Sequence, residues 1–109
     1  MENLILVLAL GIGISYFLIS IITLKYPPKK INHWYGYRTN RSRKSKESWD
    51  FAQAFASSQM KIWGALITMM APLSYSFEFS ETLGAIIITI MAITPIALTE
   101  WALKKKFDD

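Results

Sequence analysis

The chain contains no cysteine and a single histidine, His33, among its 109 residues. Without thiols there is no disulfide, no thiolate nucleophile and no cysteine-built metal centre. With one histidine and acids scattered over separate segments, neither an imidazole metal site nor a Ser-His-acid triad can be assembled, so no metal and no cofactor is expected. Charge is missing just as selectively. Residues 4–24 and 83–99 hold no Asp, Glu, Lys or Arg, and no base precedes the first of these runs or falls in 75–82.

What is present is apolar. Hydrophobic residues make up 52% of a chain too short to bury so many in a water-soluble core. Uncharged apolar runs of roughly 18 residues or more read as membrane-crossing helices. The expected fold is therefore all-α: an integral membrane three-helix bundle forming one domain over 1–109. Its spans lie at about 4–24, 52–74 and 83–103, with a basic loop, 25–51, between the first two. The start Met1-Glu2-Asn3 lacks the bases of a secretory signal, and no small-residue cleavage site closes the first run, so that run reads as a retained span.

Local signals place the boundaries. Pro27-Pro28 stops the first helix, with Lys25 and Tyr26 suited to the headgroup level. Gly36 suits a turn between bulky neighbours, and Ser45 suits an N-cap followed by Glu47 and Asp50 near a positive helix end. The run 62–75 is too short to cross alone, so the second helix must begin upstream. Along it Asp50, Gln53, Ser57, Lys61, Gly64 and Thr68 recur every three or four residues, a polar or small stripe expected to face the other spans or a wet cavity. Trp49, Phe51, Phe55, Ile62 and Trp63 lie largely off it. Ala9/Gly13 and Gly11/Ser15 have the four-residue spacing of close helix packing, which ordinary packing also explains. Pro72 and Pro95 interrupt the second and third helices, and Lys104-Lys105-Lys106 end the third.

Eight of the twelve bases lie within 25–46 and three more are Lys104 to Lys106. Basic loops stay cytoplasmic, so the expected topology is a multi-pass protein of the cell membrane with its N-terminus outside and its C-terminus inside.

Lys61 and Glu100 are the charges set in or beside apolar helix, where an unpaired charge is costly. One arrangement gathers Arg38, Asp50, Lys61 and Glu100 around a cytoplasm-facing recess. The plainer one has Lys61 reaching to the interface and Glu100 pairing with Lys104 one turn on. The run 38–46 offers forked donors for phosphate, or simply attraction to the anionic inner leaflet. It is short and tethered at the lipid surface, so nucleic acid is not an expected partner. His33, beside Trp34 and Tyr35, reads as an interfacial side chain.

The spaced pattern Asn32, Gly36-Tyr37-Arg38-Thr39, Ser42, Ser45, Glu47, Trp49, Asp50, Ala52, followed by Gln53, resembles the SdpI family of small bacterial membrane proteins. Asn40 stands where many members carry proline, and the chain looks like a shortened member holding the motif-bearing core. The resemblance implies membrane-embedded resistance to a toxic peptide and, in the founding system, capture of a transcriptional repressor. The expected function is non-enzymatic binding of a toxin peptide or an anionic lipid headgroup. Arg38 and Lys61 would hold negative charge, Asn32 and Thr39 would donate hydrogen bonds and Asp50 would orient the bases, while membrane lipids and further copies of the chain are the other expected partners. A small transporter and a lipid-phosphate-processing enzyme are the alternatives from other classes.

Overall fold

A computed structural model describes residues 4–78 and 80–107. The residues at 1–3, whose lack of bases entered the reading above, lie outside the described part. Three α-helices follow in order: α1 (Leu4–Lys25), α2 (Lys46–Phe77) and α3 (Glu81–Phe107). Among the described residues there is no strand. α2 runs antiparallel to both of its neighbours, because Gly13 lies against Gly64 and Thr68 while Thr23 meets Ser57, and Ile5 meets Gly84 while Tyr16 meets Ala92.

Helix lengths explain where the loop sits. At about 1.5 Å per residue α1 is about 33 Å long and α2 about 48 Å, so the first turns of α2 project beyond the end of α1. The connection 26–45 folds onto that projection. α1 ends where the sequence places the stop, with Tyr26 N donating to Ile22 O before Pro27 and Pro28. α2 begins with a capping box, in which the Ser45 hydroxyl accepts from Ser48 N and the Ser48 hydroxyl accepts from Ser45 N. Both internal prolines, Pro72 and Pro95, are carried within continuous helix.

α1 and α3 are each long and apolar enough to cross a membrane. α2 carries the polar stripe, and most of that stripe is turned inward: Gln53 and Ser57 are buried and Gly64 packs on α1. A Cβ at Gly64 would lie 2.7 Å from Phe17 N, so here the two backbones touch. Ser57 Oγ and Thr23 Oγ1 share a buried hydrogen bond of 2.6 Å. Gly13 takes part in the same crossing, whereas Gly11 has open space around it, so only one of the two small-residue pairs in α1 serves packing within the chain.

A smaller core of Ile5, Ala9, Ile67, Met70, Ala71 and Ile88 joins the three helices at the end away from the loop. The rest of the apolar surface is turned outward, with Val7, Leu18, Ile22, Ile62, Met69, Ile86, Ile90 and Ile93 all exposed. Extended exposed apolar surface of this kind marks a face that meets lipid or another protein.

Candidate functional site

The loop is built outward from two buried side chains of α2. Trp49, fully buried, donates from Nε1 to Pro28 O at 2.7 Å and so fixes the start of the loop. Gln53, one turn on, uses both ends of its amide: Oε1 accepts from Tyr37 N at 2.7 Å and Nε2 donates to Tyr37 O at 2.8 Å. This two-point clamp holds the backbone as a neighbouring strand would. Gly36 lies directly before it at φ +94°, and a Cβ there would meet the Gln53 amide and stand 2.6 Å from Pro28 Cγ.

Past the clamp the loop reaches α3. Glu100 Oε2 accepts from the Tyr37 hydroxyl and from Thr39 Oγ1 at 2.8 Å, and its other oxygen lies 3.5 Å from an Arg41 guanidinium nitrogen. Ser42, fully buried, accepts from Thr39 N and lies within hydrogen-bonding distance of the carbonyls of Tyr37 and Thr39. Ser48 ties Ser42 O to the start of α2. At the near end Asn32 closes an Asx-type turn by accepting from Trp34 N and Tyr35 N, while the Tyr35 hydroxyl donates to Tyr26 O.

Beneath residues 36–39 lies a recess of about 290 Å³, bounded by Tyr16 and Ile19 of α1, Ser57 and Met60 of α2, and Ile96 of α3. Arg38 stands on its rim, exposed, with one guanidinium nitrogen donating to Gly36 O at 2.8 Å.

The profile of the SdpI/YfhL protein family matches residues 29–99, a span that takes in most of the loop, all of the recess's loop and α2 lining, and most of α3. The chain belongs to the SdpI/YfhL family. It is also 35% identical over 94 residues to the uncharacterized protein YfhL of Bacillus subtilis (strain 168), covering 85% of this chain and 84% of that one. No solved structure matches it.

The residues that carry the SdpI/YfhL resemblance are chiefly those that hold the loop together. Asn32, Gly36, Tyr37, Thr39, Ser42, Trp49 and Gln53 spend their polar atoms or their space on the loop and its helices, and Glu100 of α3 closes the set. The expected gathering of Arg38, Asp50, Lys61 and Glu100 does not form. Asp50 is exposed and pairs with Lys46 at 2.6 Å, Lys61 is exposed, and Glu100 takes Arg41, Tyr37 and Thr39 instead of Arg38 or Lys104. Glu47 is exposed in the first turn of α2, where its charge suits the positive helix end. Trp49, expected off the polar face, is buried under the loop. Tyr16 and Ser48 were not singled out in the sequence, and Arg41 entered only as part of the basic run 38–46. Tyr16 donates to Ala92 O of α3 at 2.7 Å, a partner 76 positions away that no local pattern in α1 points to.

Burial, followed by the hydrogen bond to Glu100, raises the Tyr37 phenol above its ordinary value of 10.0. A raised value in the folded state favours the neutral phenol. Its contribution is therefore complete below the unfolded value near 10.0 and is lost as pH climbs past it toward the folded one. In an alkaline titration followed by tyrosinate absorbance, Tyr37 should ionise last, together with release of the loop. Tyr37→Phe should remove that late step and loosen the loop at neutral pH.

Proposed function

We propose that this chain is a non-catalytic protein of the bacterial cell membrane. Its three helices all cross the bilayer, and the recess beneath the loop receives the apolar anchor of a secreted, membrane-active toxin peptide, protecting the membrane. The observation that carries this reading is the recess itself: an apolar cleft reached by three helices, with Arg38 the single cation among the described residues that line it. Family membership supports the setting, and so does the outward belt of apolar side chains, which would be an aggregation hazard in water and is ordinary in lipid.

The distribution of bases supports the orientation. The C-terminal turns of α3 lie beside the start of α2, where Lys106 Nζ sits 4.8 Å from the Phe51 ring centroid, so Lys104, Lys105 and Lys106 share one end of the bundle with the basic loop. That end is the cytoplasmic one, and the α2–α3 connection with Glu78 and Glu81 is outside. α2 crosses although it is the least apolar helix, because the middle of its stripe is covered from within the chain: Ser57 bonds Thr23 of α1, Gly64 packs on α1, and Gln53 is spent on the loop.

The test is protection of a bacterium sensitive to such a peptide. Expression of the chain should raise survival, and Met60→Trp, which narrows the recess, should abolish the gain at unchanged membrane abundance. Arg38→Gln should weaken it about tenfold, the scale of one charge-assisted contact. Full protection by Met60→Trp would overturn the reading.

A further inference from the structure

We propose that the recess is a binding site for one anionic phospholipid, its phosphate on Arg38 and one acyl chain between α1, α2 and α3. The inference rests on the recess being the ligand site, and it names the resident occupant against which any peptide must compete.

The unspent chemistry of the walls defines the ligand. Tyr16 donates its hydroxyl to Ala92 O, Thr23 and Ser57 bond to each other, and Tyr37 and Thr39 both serve Glu100. Polar side chains that border the recess are thus satisfied from within. Arg38 differs. Among the described residues it is the one charged side chain in the lining, it is exposed, and Gly36 O takes one of its five donors. A ligand that satisfies this site is a forked anion at one end and hydrocarbon along the rest, and phosphate suits the guanidinium fork. Glu100 does not compete for Arg38, because its charge is met by Arg41 and by the two hydroxyls.

Access and size point to lipid. α1 and α3 touch each other least of the three helix pairs, and both line the recess through Ile19 and Ile96, which are 47% and 48% exposed. The opening therefore faces sideways, into the acyl region of a surrounding bilayer, and Arg38 sits at its loop end. At about 290 Å³ the recess falls at the lower end of ligand cavities, roughly 300–1,000 Å³, which suits a chain segment rather than a folded molecule. Arg38, Arg41 and Arg43 crowd the loop, so a headgroup with its own cation is disfavoured and one with net negative charge is favoured.

Native mass spectrometry of the full chain in neutral detergent tests this. The additions are phosphatidylglycerol, phosphatidylcholine with the same acyl chains, and glycerol 3-phosphate. One phosphatidylglycerol should be retained per chain, about tenfold more readily than phosphatidylcholine. Glycerol 3-phosphate should not displace it. Arg38→Gln should make the two lipids equal, and Met60→Trp should lower retention of both. Equal retention by the unmodified chain, which needs no variant, overturns the proposal; so does a preference that survives Arg38→Gln, or displacement by glycerol 3-phosphate, which would mark a free-anion site. If the lipid preference fails while Met60→Trp still abolishes protection, the recess remains the toxin site without a resident lipid. If the preference holds while Met60→Trp still protects, the recess is a lipid site and the toxin reading falls.

Discussion

Gly64→Leu is expected to separate α1 from α2 and to abolish the folded bundle. The site has no slack, because the atoms a side chain would meet are the backbone of Phe17 and Gly13, 2.7 and 2.9 Å from the nearest Cβ position. Side chains can rotate away from an intruder, but a helix backbone moves only as a unit. Overpacking of an ordinary core costs about 1–3 kcal/mol, and backbone contact puts this case at the upper end or beyond. The damage would spread, since the same crossing brings Thr23 and Ser57 to their buried hydrogen bond. Because the chain has no native cysteine, a Thr23→Cys, Ser57→Cys pair can report the crossing. Oxidation should link the pair in the parent background and leave it unlinked with Gly64→Leu, while circular dichroism still shows helix. Gly11→Ala is the matched control. Nothing lies within 4 Å of its Cβ position, so it should be neutral or gain up to about 1 kcal/mol from helix propensity. Linking in the presence of Gly64→Leu would show that the helices cross elsewhere.

The three helices were legible because their signals are local: uncharged runs, a Pro-Pro stop, a serine cap and a glycine at a turn. The stripe on α2 was legible as a face but not in its width. At about 100° per residue Asp50 and Lys61 lie roughly 60° and 80° round from Gln53, and the buried arc ends short of them. Both charges therefore stand on the flank of that arc, one paired with Lys46 and both exposed. The partners of Glu100 were hidden for a different reason. Tyr37, Thr39 and Arg41 are about sixty positions away along the chain, and no periodicity links a loop to a distant helix.

The motif residues stood out as unusual, but their kind of work did not. A run of Asn, Arg, Thr, Ser and Gln beside a membrane invites assignment to a ligand. An irregular segment of twenty residues, however, has its own backbone donors and acceptors to satisfy once it is packed against helices. Gln53, Ser42, Asn32 and Trp49 meet that need. Arg38 is the exception: it is exposed with one donor on Gly36 O, and the asymmetry between that guanidinium and a loop of committed neighbours is what directs attention to it.

Gln53→Leu should release the loop while leaving the helices in place. The substitution keeps most of the side-chain volume but strips away both halves of the clamp, so Tyr37 N and O lose the partners that hold them at 2.7 and 2.8 Å. Leaving a buried backbone group unpaired costs about 1–3 kcal/mol, and here two are affected together. The loop can avoid that cost only by lifting into water, which withdraws Tyr37 and Thr39 from Glu100 and carries Arg38 off the recess. Limited trypsin digestion reads the release directly, since Arg38, Arg41, Arg43 and Lys44 all lie in the segment set free. Cleavage there should accelerate at least about tenfold, the effect of roughly 1.4 kcal/mol on the opening equilibrium. Lys46→Gln removes an ion pair whose partners are 59% and 58% exposed and should leave the rate nearly unchanged. If both variants digest at the parental rate, the Gln53 clamp is not what holds the loop, and Arg38 has lost the support that keeps it at the rim.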